Sequence, residues 1–149
     1  MIRALQAEDT GPVAEIWLNT NRSAHSFIPS QYWEGHLPAV QEALAQAEVY
    51  VYEEEGAVQG FVGLNGNYIE GIFVRQEAQS QGIGKGLLDF VKARKDRLEL
   101  SVYQKNSRAA AFYQREQFVI RREGRDEPTG ELEYQMVWVR QGRHGASIP

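Results

Sequence analysis

Three closely spaced glycines lie in the middle of the chain, in a segment whose chemistry suits an anion. They are Gly82, Gly84 and Gly86, within the run QSQGIGKG at residues 79–86. Glycine has no side chain, so a ligand can approach the backbone closely at these positions. If a helix begins here, its first turn also offers N–H groups without internal partners and the positive end of the helix dipole. The segment therefore predicts a site for a phosphate or a pyrophosphate.

The residues on either side of the glycines favour a strand followed by a helix. Residues 68–74, YIEGIFV, are mostly β-branched or aromatic, as in strands. After the glycines, Ile83, Leu87, Phe90 and Val91 recur at helical spacing. The run matches neither the Walker pattern nor the dinucleotide fingerprint G-x-G-x-x-G. The residues alone leave two interpretations open: another kind of phosphate loop, or glycines that only mark a turn.

Three segments, taken together, resemble the GNAT superfamily of N-acetyltransferases. Residues 79–84 are similar to its acyl-CoA pyrophosphate loop, Gln/Arg-x-x-Gly-x-Gly/Ala. Residues 100–106 are similar to its strand end Leu-x-Val-x-x-x-Asn, and residues 109–118 to its Ala-x-x-Phe-Tyr-x-x-x-Gly-Phe. Gln117 departs from the pattern, because it stands where the family has glycine, which puts the end of that helix in question. The resemblance covers roughly residues 1–139 and favours the phosphate loop.

The resemblance implies an α/β (α+β) fold with a mixed, mostly antiparallel central sheet. It implies about six to seven strands, splayed at the cofactor cleft, and about four flanking helices. The sequence itself predicts strands at 49–54, 57–64 and 68–74 that form an antiparallel meander, because turn residues join them. A further strand near residues 98–102 follows a helical crossover, so it should run parallel to the strand at 68–74.

The segment between the first two strands is predicted to contain helices. Asp9-Thr10 offers N-cap chemistry for a helix that ends near Leu18, and the polar residues 19–23 are predicted as a loop. A second helical region begins at Ser30, and Pro38 is expected to divide it into two short helices.

Length and composition predict one globular domain over residues 1–139 with a flexible C-terminal tail at 140–149. The chain has 149 residues, 42% of them hydrophobic, and a net charge of -4, which argues against a nucleic-acid partner. No apolar run is long enough for a membrane span, and the N-terminus lacks the apolar core of a signal peptide, so a cytoplasmic location is expected. The chain has no cysteine and its histidines are scattered, so no metal site is expected. A monomer and a homodimer both stay open.

The resemblance implies acetyl-CoA as the cofactor. Backbone N–H groups of residues 81–86 would hold the pyrophosphate, and Lys85 would add positive charge. The strand at 68–74 would pair with the pantetheine arm, and an N–H near Ile72 would stabilise the developing oxyanion. Gly71, in mid-strand, predicts a β-bulge. The predicted cofactor-binding residues are Ile72, Phe73, Val74, Gln79, Gln81, Gly82, Ile83, Gly84, Lys85, Gly86, Asn106 and Tyr113.

Some of these residues have structural interpretations as well. Lys85 also fits a solvated helix lysine, and Asn106 an ordinary helix cap. Side chains of residues 72–74 also fit core packing, which is compatible with a role for their backbone.

Tyr113 is the predicted general acid. It matches the tyrosine of the family's Phe-Tyr pair, whose hydroxyl approaches the CoA sulfur and can protonate the leaving thiolate. A phenol with a pKa of ~10 suits that acceptor. The alternative is a half-buried tyrosine that packs its helix against the strands.

Glu70 is the predicted general base. An alkylamine has a pKa of ~10.4 and must lose a proton before it attacks. Strand alternation is expected to put Tyr68, Glu70 and Ile72 on one face. The alternative is a solvent-facing carboxylate. The further candidates, in order, are His25, Glu34 and His36.

The implied function is direct transfer of an acetyl group from acetyl-CoA to a primary amine, within a ternary complex. The amine belongs to a protein lysine or to a small molecule. A covalent acyl-enzyme is not expected, because the chain has no cysteine. Two alternatives stay open: a CoA-binding sensor without turnover, and an N-acyltransferase using a longer acyl-CoA, whose pocket Phe73 and Phe112 would limit. The predicted substrate residues are His25, Phe27, Tyr32 and Tyr68.

Overall fold

A computed structural model of the chain describes residues 1–141. The described residues contain seven strands and four α-helices and fall into two compact units, Met1–Leu88 and the residues from Asp89 onward. The elements are β1 (Ile2–Ala4), α1 (Thr10–Ala24), α2 (Ser30–Leu44), β2 (Glu48–Glu54), β3 (Ala57–Asn65), β4 (Tyr68–Val74), α3 (Ile83–Lys92), β5 (Arg97–Tyr103), α4 (Ser107–Arg115), β6 (Val119–Arg125) and β7 (Leu132–Val139).

The four strands of the first unit form an antiparallel meander in the order β1, β2, β3, β4. Val51, Phe61 and Phe73 are successive partners across β2, β3 and β4. Gly56 and Gly66 close the two hairpins with φ angles of 80° and 65°, which glycine adopts without strain. The meander predicted for residues 49–74 is confirmed.

The core of the first unit lies between this sheet and the two helices. Apolar residues of α1 at helical spacing meet alternate residues of β2 and β3, so each element buries one face. Trp17 of α1 and Trp33 of α2 join the helices, with ring centroids 5.8 Å apart in an edge contact. The buried cluster consists of Val13, Ala14, Ile16, Leu44, Val49, Val51, Val58 and Phe61.

Helix α1 is six residues longer than predicted and includes the polar residues 19–23. Two of its polar side chains bond back into the helix. Thr20 Oγ1 donates to the carbonyl of Ile16 at 2.7 Å, and Asn21 Nδ2 to the carbonyl of Trp17 at 2.9 Å. Such bonds to the preceding turn let polar side chains remain inside a helix. The prediction of a loop here was wrong.

Helix α2 is unbroken, so the predicted division at Pro38 was also wrong. A proline within a helix removes one N–H donor and costs roughly 3 kcal/mol. Pro38 and Glu34, the residue whose carbonyl loses its helical partner, are both exposed, so water can replace the lost donor. The buried side of the helix, with Trp33 and Leu44, continues across the proline.

The second unit contains an antiparallel sheet in which β7 pairs with both β5 and β6. Met136 of β7 lies opposite Leu100 on one side and Ile120 on the other. Alternate residues of β5, at positions 98, 100 and 102, are buried, as a half-buried strand requires.

Arg140 belongs to the ordered part of this unit. Its backbone N–H donates to the carbonyl of Asp96 at 2.8 Å, and its guanidinium donates to the Asp96 carboxylate at 3.1 Å and the Lys95 carbonyl at 2.7 Å. Of the tail predicted at 140–149, only residues 140 and 141 lie within the described residues, so the tail stays a prediction. The single domain over residues 1–139 stays a prediction.

Helix α4 ends in a Schellman motif with glutamine at the left-handed position. Gln117 has φ 77°, and its N–H donates to the carbonyl of Gln114 at 3.1 Å. The N–H of Phe118 donates to the carbonyl of Tyr113 at 3.0 Å, and the two rings meet with centroids 5.5 Å apart. These bonds and this contact define the motif. The helix therefore ends as in the family pattern, with a strained residue in place of glycine.

We expect Gln117→Gly to raise the free energy of unfolding by about 1 kcal/mol, because glycine relieves the left-handed strain. Urea unfolding measures this change. Gln114→Gly is the matched control, because it makes the same replacement inside the helix and should lower stability by about 1 kcal/mol. Equal losses in both variants would contradict the strain at Gln117.

None of the helices within residues 1–141 is both long and apolar enough to cross a membrane.

Candidate active site

The glycine-rich run forms a left-handed turn that leads into α3. Ser80 and Gly82 have φ angles of 65° and 85°. Gln79 fixes the start of the turn, because its side-chain Nε2 donates to the carbonyl of Val74 at 3.0 Å. Glycine is needed at position 82 for its backbone conformation and not for lack of space, since an added Cβ would meet nothing within 4 Å.

The first turn of α3 begins directly after Gly82. The Gly82 carbonyl accepts from the N–H of Gly86 at 2.9 Å, which starts the hydrogen-bond ladder of α3. The first N–H groups of a helix lie ahead of this ladder and point out of the end of the helix. Ile83, only 3% exposed, anchors this end of the helix in the core. The predicted phosphate residues Gln81 and Lys85 are exposed on the turn and on the first helical turn.

We expect Gly82→Ala to weaken acetyl-CoA binding about tenfold, because alanine disfavours the left-handed turn that aims the N–H groups, at a cost of roughly 1–2 kcal/mol. Isothermal calorimetry measures the Kd. Gly56→Ala is the matched control, since Gly56 has φ 80° and equally open space, and lies in the β2–β3 turn. The two variants should lose similar stability. An equal loss of affinity in both would show that the effect is not local.

Strand β4 carries a β-bulge at Glu70. Ile69 pairs with Leu64 of β3, but Gly71 pairs with the adjacent Gly63, so Glu70 is an extra residue without a partner in the ladder. The predicted bulge at Gly71 is therefore displaced by one residue. Glu70 itself is exposed.

The bulge changes which side chains of β4 share a face. Ile69 and Ile72 lie opposite Leu64 and Val62, which are two residues apart on β3 and so lie on the same face. Tyr68, next to Ile69, lies on the other face. The prediction that Tyr68 and Ile72 share a face was wrong, because the extra residue shifts the alternation between them.

Gly71 provides space for an aromatic ring. An added Cβ there would lie 2.4 Å from two ring carbons of Phe73. The Phe73 ring also stacks on Phe61, with centroids 4.9 Å apart, and packs against the core of the first unit. The side chain of Phe73 is thus a packing group, which leaves the backbone of residues 72–74 as the candidate contact with a cofactor.

Tyr113, the predicted acid, is held in α4 of the second unit. It is 8% exposed and makes edge contacts with the rings of Phe112, at 5.2 Å, and Phe118, at 5.5 Å. Burial raises the pKa of the Tyr113 hydroxyl above its ordinary value. The phenol is therefore fully protonated at neutral pH and can donate its proton or a hydrogen bond.

Lys92 and Asn106 fix the two ends of the helix that carries Tyr113. Asn106 is the N-cap, and its Oδ1 accepts from the N–H of Ala109 at 3.2 Å. At the other end, Lys92 Nζ donates to the carbonyl of Glu116 at 2.5 Å. The alternative interpretation of Asn106 as a helix cap is thus confirmed, and its contact with a cofactor stays a prediction.

Three of the predicted substrate residues gather around Trp33 in the first unit. The His25 ring lies 5.6 Å from that of Phe27 and 5.5 Å from that of Trp33, between centroids. Tyr32 meets Trp33 edge-on at 4.9 Å. The fourth, Tyr68, is exposed at the start of β4.

Asn21 is a residue of this cluster that the sequence analysis missed. The residue is 4% exposed, and its Oδ1 lies 3.0 Å from Nδ1 of His25. Burial lowers the pKa of His25 to about 4. The signal was present in the sequence, since Asn21 continues the helical spacing of the buried Val13 and of Trp17.

No group of three or more metal-ligating side chains occurs in the part of the chain that the structure describes.

The succession of strand, left-handed turn and helix N-terminus is an arrangement that α/β proteins use to bind phosphate groups. Comparison with known proteins shows which family of phosphate-binding α/β proteins this chain resembles. A family model described as "Acetyltransferase (GNAT) domain" matches residues 45–120. The chain therefore belongs to the GNAT acetyltransferase family.

Individual relatives support this assignment to the family. The chain is 40% identical over 122 residues to the peptidyl-lysine N-acetyltransferase YiaC of Escherichia coli K12, covering 80% of this chain and 84% of the relative. The solution structure of apo YjaB from Escherichia coli superposes with a TM-score of 0.83 at 21% identity, over 95% and 98% of the two chains. The structure of yncA from Salmonella typhimurium, solved with acetyl-CoA, gives a TM-score of 0.67 at 17% identity, over 93% and 92%.

The predicted family is confirmed by these matches, and so is the α/β (α+β) fold class with its mostly antiparallel strands. The predicted enzyme class, an acetyl-CoA-dependent N-acetyltransferase, is confirmed by family membership.

Proposed function

We propose that the chain transfers an acetyl group from acetyl-CoA to the side-chain amine of a protein lysine, by direct attack in a ternary complex. The left-handed turn at Ser80 and Gly82, which leads into the first turn of α3, carries the proposal, because the N-terminal end of a helix is suited to a phosphate or diphosphate. The name of the 40% identical relative, a peptidyl-lysine N-acetyltransferase, supports the choice of lysine. A net charge of -4 also favours a cationic acceptor.

Backbone amides hold the cofactor in this mechanism. The N–H groups of residues 81–85 bind the pyrophosphate, whereas that of Gly86 already donates to the Gly82 carbonyl. The positive end of the α3 dipole and the Lys85 ammonium add attraction for the charge of the pyrophosphate. The thioester arm lies along β4. The bulge at Glu70 takes backbone groups out of the ladder with β3, and an N–H near Ile72 donates to the thioester oxygen as negative charge develops there.

Tyr113 supports the departure of the thiolate. An ordinary thiol has a pKa near 8.5, lower than that of the buried phenol, so early proton transfer from Tyr113 is unfavourable. Desolvation raises the pKa of a thiolate in the same way as that of the phenol. The neutral hydroxyl therefore donates a hydrogen bond first, and the proton follows as charge accumulates on the sulfur.

We expect Tyr113→Phe to lower kcat by at least about 10²-fold, the usual contribution of a general acid. The Kd for acetyl-CoA should be unchanged, because the substitution keeps the ring contacts with Phe112 and Phe118. Release of CoA with a lysine peptide measures kcat. Tyr52→Phe, on β2 of the other unit, is the control and should keep full activity.

This experiment also distinguishes the enzyme from a sensor. A wild-type chain that binds acetyl-CoA without turnover with any lysine peptide or protein would support the sensor. Full turnover by Tyr113→Phe would still support an enzyme, but it would contradict the role of Tyr113 as the general acid.

Glu70 is the proposed base, since the bulge places an exposed carboxylate beside the backbone groups assigned to the thioester. We expect Glu70→Gln to reduce kcat/KM for the peptide about 10²-fold at pH 7. The deficit should shrink as the pH rises towards the amine pKa of ~10.4, because an amine that is already neutral needs no base. Profiles of kcat/KM against pH, recorded in parallel for the wild type and for Glu70→Gln, measure this deficit. Glu54→Gln, at the exposed end of β2, is the control, and a deficit that is constant with pH would contradict the role.

A further inference from the structure

A groove of about 450 Å³ lies in the first unit, where β1 ends and β2 begins. Its volume falls within the range of roughly 300–1,000 Å³ that is usual for ligand sites. Most of the lining residues are alanine or leucine, from the ends of β1 and α2. The polar residues that line it include Glu48 and Tyr50 of β2. The groove is therefore mainly apolar, with a carboxylate and a phenol in its wall.

The carboxylate and the phenol lie side by side on one face of the sheet. Ala4 of β1 pairs with Tyr50, so their side chains share a face, and Glu48 shares it by strand alternation. The Tyr50 hydroxyl donates to Oε2 of Glu48 at 2.6 Å. This bond fixes the carboxylate next to the aromatic ring, in the part of the groove that Ala4 also lines.

This combination of groups suits the side chain of arginine or lysine. A carboxylate accepts several hydrogen bonds at once, so its bond with Tyr50 does not prevent it from accepting more. The face of an aromatic ring attracts a cation, and apolar surface accommodates the methylene stem of a long basic side chain. An acidic or purely apolar ligand would leave the carboxylate without a matching charge.

The charge of the whole first unit favours the same kind of ligand. Residues Met1–Leu88 include eleven Asp and Glu residues but four Lys and Arg residues, a net charge of -7. Three of the four basic residues, Arg3, Arg22 and Arg75, are already in ion pairs within the unit. A negative field of this kind attracts basic segments of a partner.

The groove lies at the same end of the sheet as the proposed base. Glu48 pairs with Leu64 of β3, which in turn pairs with Ile69 of β4, the residue before Glu70. Two strand spacings of ~4.8 Å separate β2 from β4, so the backbones of Glu48 and Ile69 are ~10 Å apart. An extended peptide rises ~3.3 Å per residue, so about three residues span this distance.

We propose that the groove binds a second basic side chain of the acceptor protein, about three residues from the lysine that is acetylated. The inference rests on the proposed function and narrows its substrate class to basic protein segments. Glu48 accepts N–H groups of the basic side chain, and the Tyr50 ring packs against its cationic end. The alanine and leucine residues of the groove contact its methylene groups.

Peptides with a single lysine test the preference. Each carries arginine, glutamine or norleucine at one position, two to four residues from the lysine on either side. At the best spacing, kcat/KM of the wild type should be about three- to fivefold higher for arginine than for glutamine, as for a partly exposed ion pair. Norleucine, which is apolar and uncharged, should give no such advantage. The arginine advantage should shrink as salt is added.

Glu48→Gln should bring the ratio of the arginine to the glutamine peptide close to one. Glu54→Gln is the matched control, because it removes the same charge from the other end of β2 and should keep the wild-type ratio. Ala45→Trp is an independent variant, since Ala45 is exposed and lines the groove. It fills the groove without removing a charge, and it should also abolish the preference. Calorimetry with acetyl-CoA checks that each variant is folded.

The outcomes separate this inference from the proposed function. Normal turnover of lysine peptides without any arginine preference would overturn the inference alone, and so would a preference that Glu48→Gln retains. An equal advantage for norleucine would show that the groove takes an apolar side chain, which contradicts a cationic occupant. A wild-type chain that acetylates no lysine peptide or protein would refute the proposed function and this inference together.

Discussion

The orientation of the N–H groups at the start of α3 is the constraint on which the site depends. A helix always begins with such groups, but they serve a ligand only when the preceding chain turns away from them. Here Ser80 and Gly82 make that turn in the left-handed region, and the buried Ile83 fixes the helix behind it. The amides are therefore oriented before any ligand arrives, which lowers the entropy cost of binding.

Burial keeps two titratable groups neutral, the phenol of Tyr113 and the imidazole of His25. Desolvation raises the pKa of Tyr113 and lowers that of His25, so neither group is charged at neutral pH. Each is held by its own helix: Tyr113 by the Schellman motif that ends α4, and His25 by Asn21 of α1. Charge in the reaction then comes mainly from the cofactor, the substrate and the exposed Glu70.

The sequence predicted the features that depend on local chemistry. The glycine run, the meander at 49–74 and the helix after Gly82 all follow from backbone preference and periodicity, and the structure contains each of them. The errors have different causes. Asn21 looked like a loop residue because its polarity was weighed before its spacing, whereas its bonds to Trp17 and His25 become visible only once the helices are packed. The position of the bulge at Glu70 is set by pairing with β3, which no single strand encodes.

The most direct measurement of the central claim is amide NMR of the ¹⁵N-labelled chain, titrated in parallel with CoA and with pantetheine, which lacks the phosphates. The account predicts that CoA shifts the amide resonances of residues 81–86 strongly and that pantetheine leaves them in place. Large CoA-induced shifts elsewhere with none in residues 81–86, or equal shifts with both ligands, would contradict it.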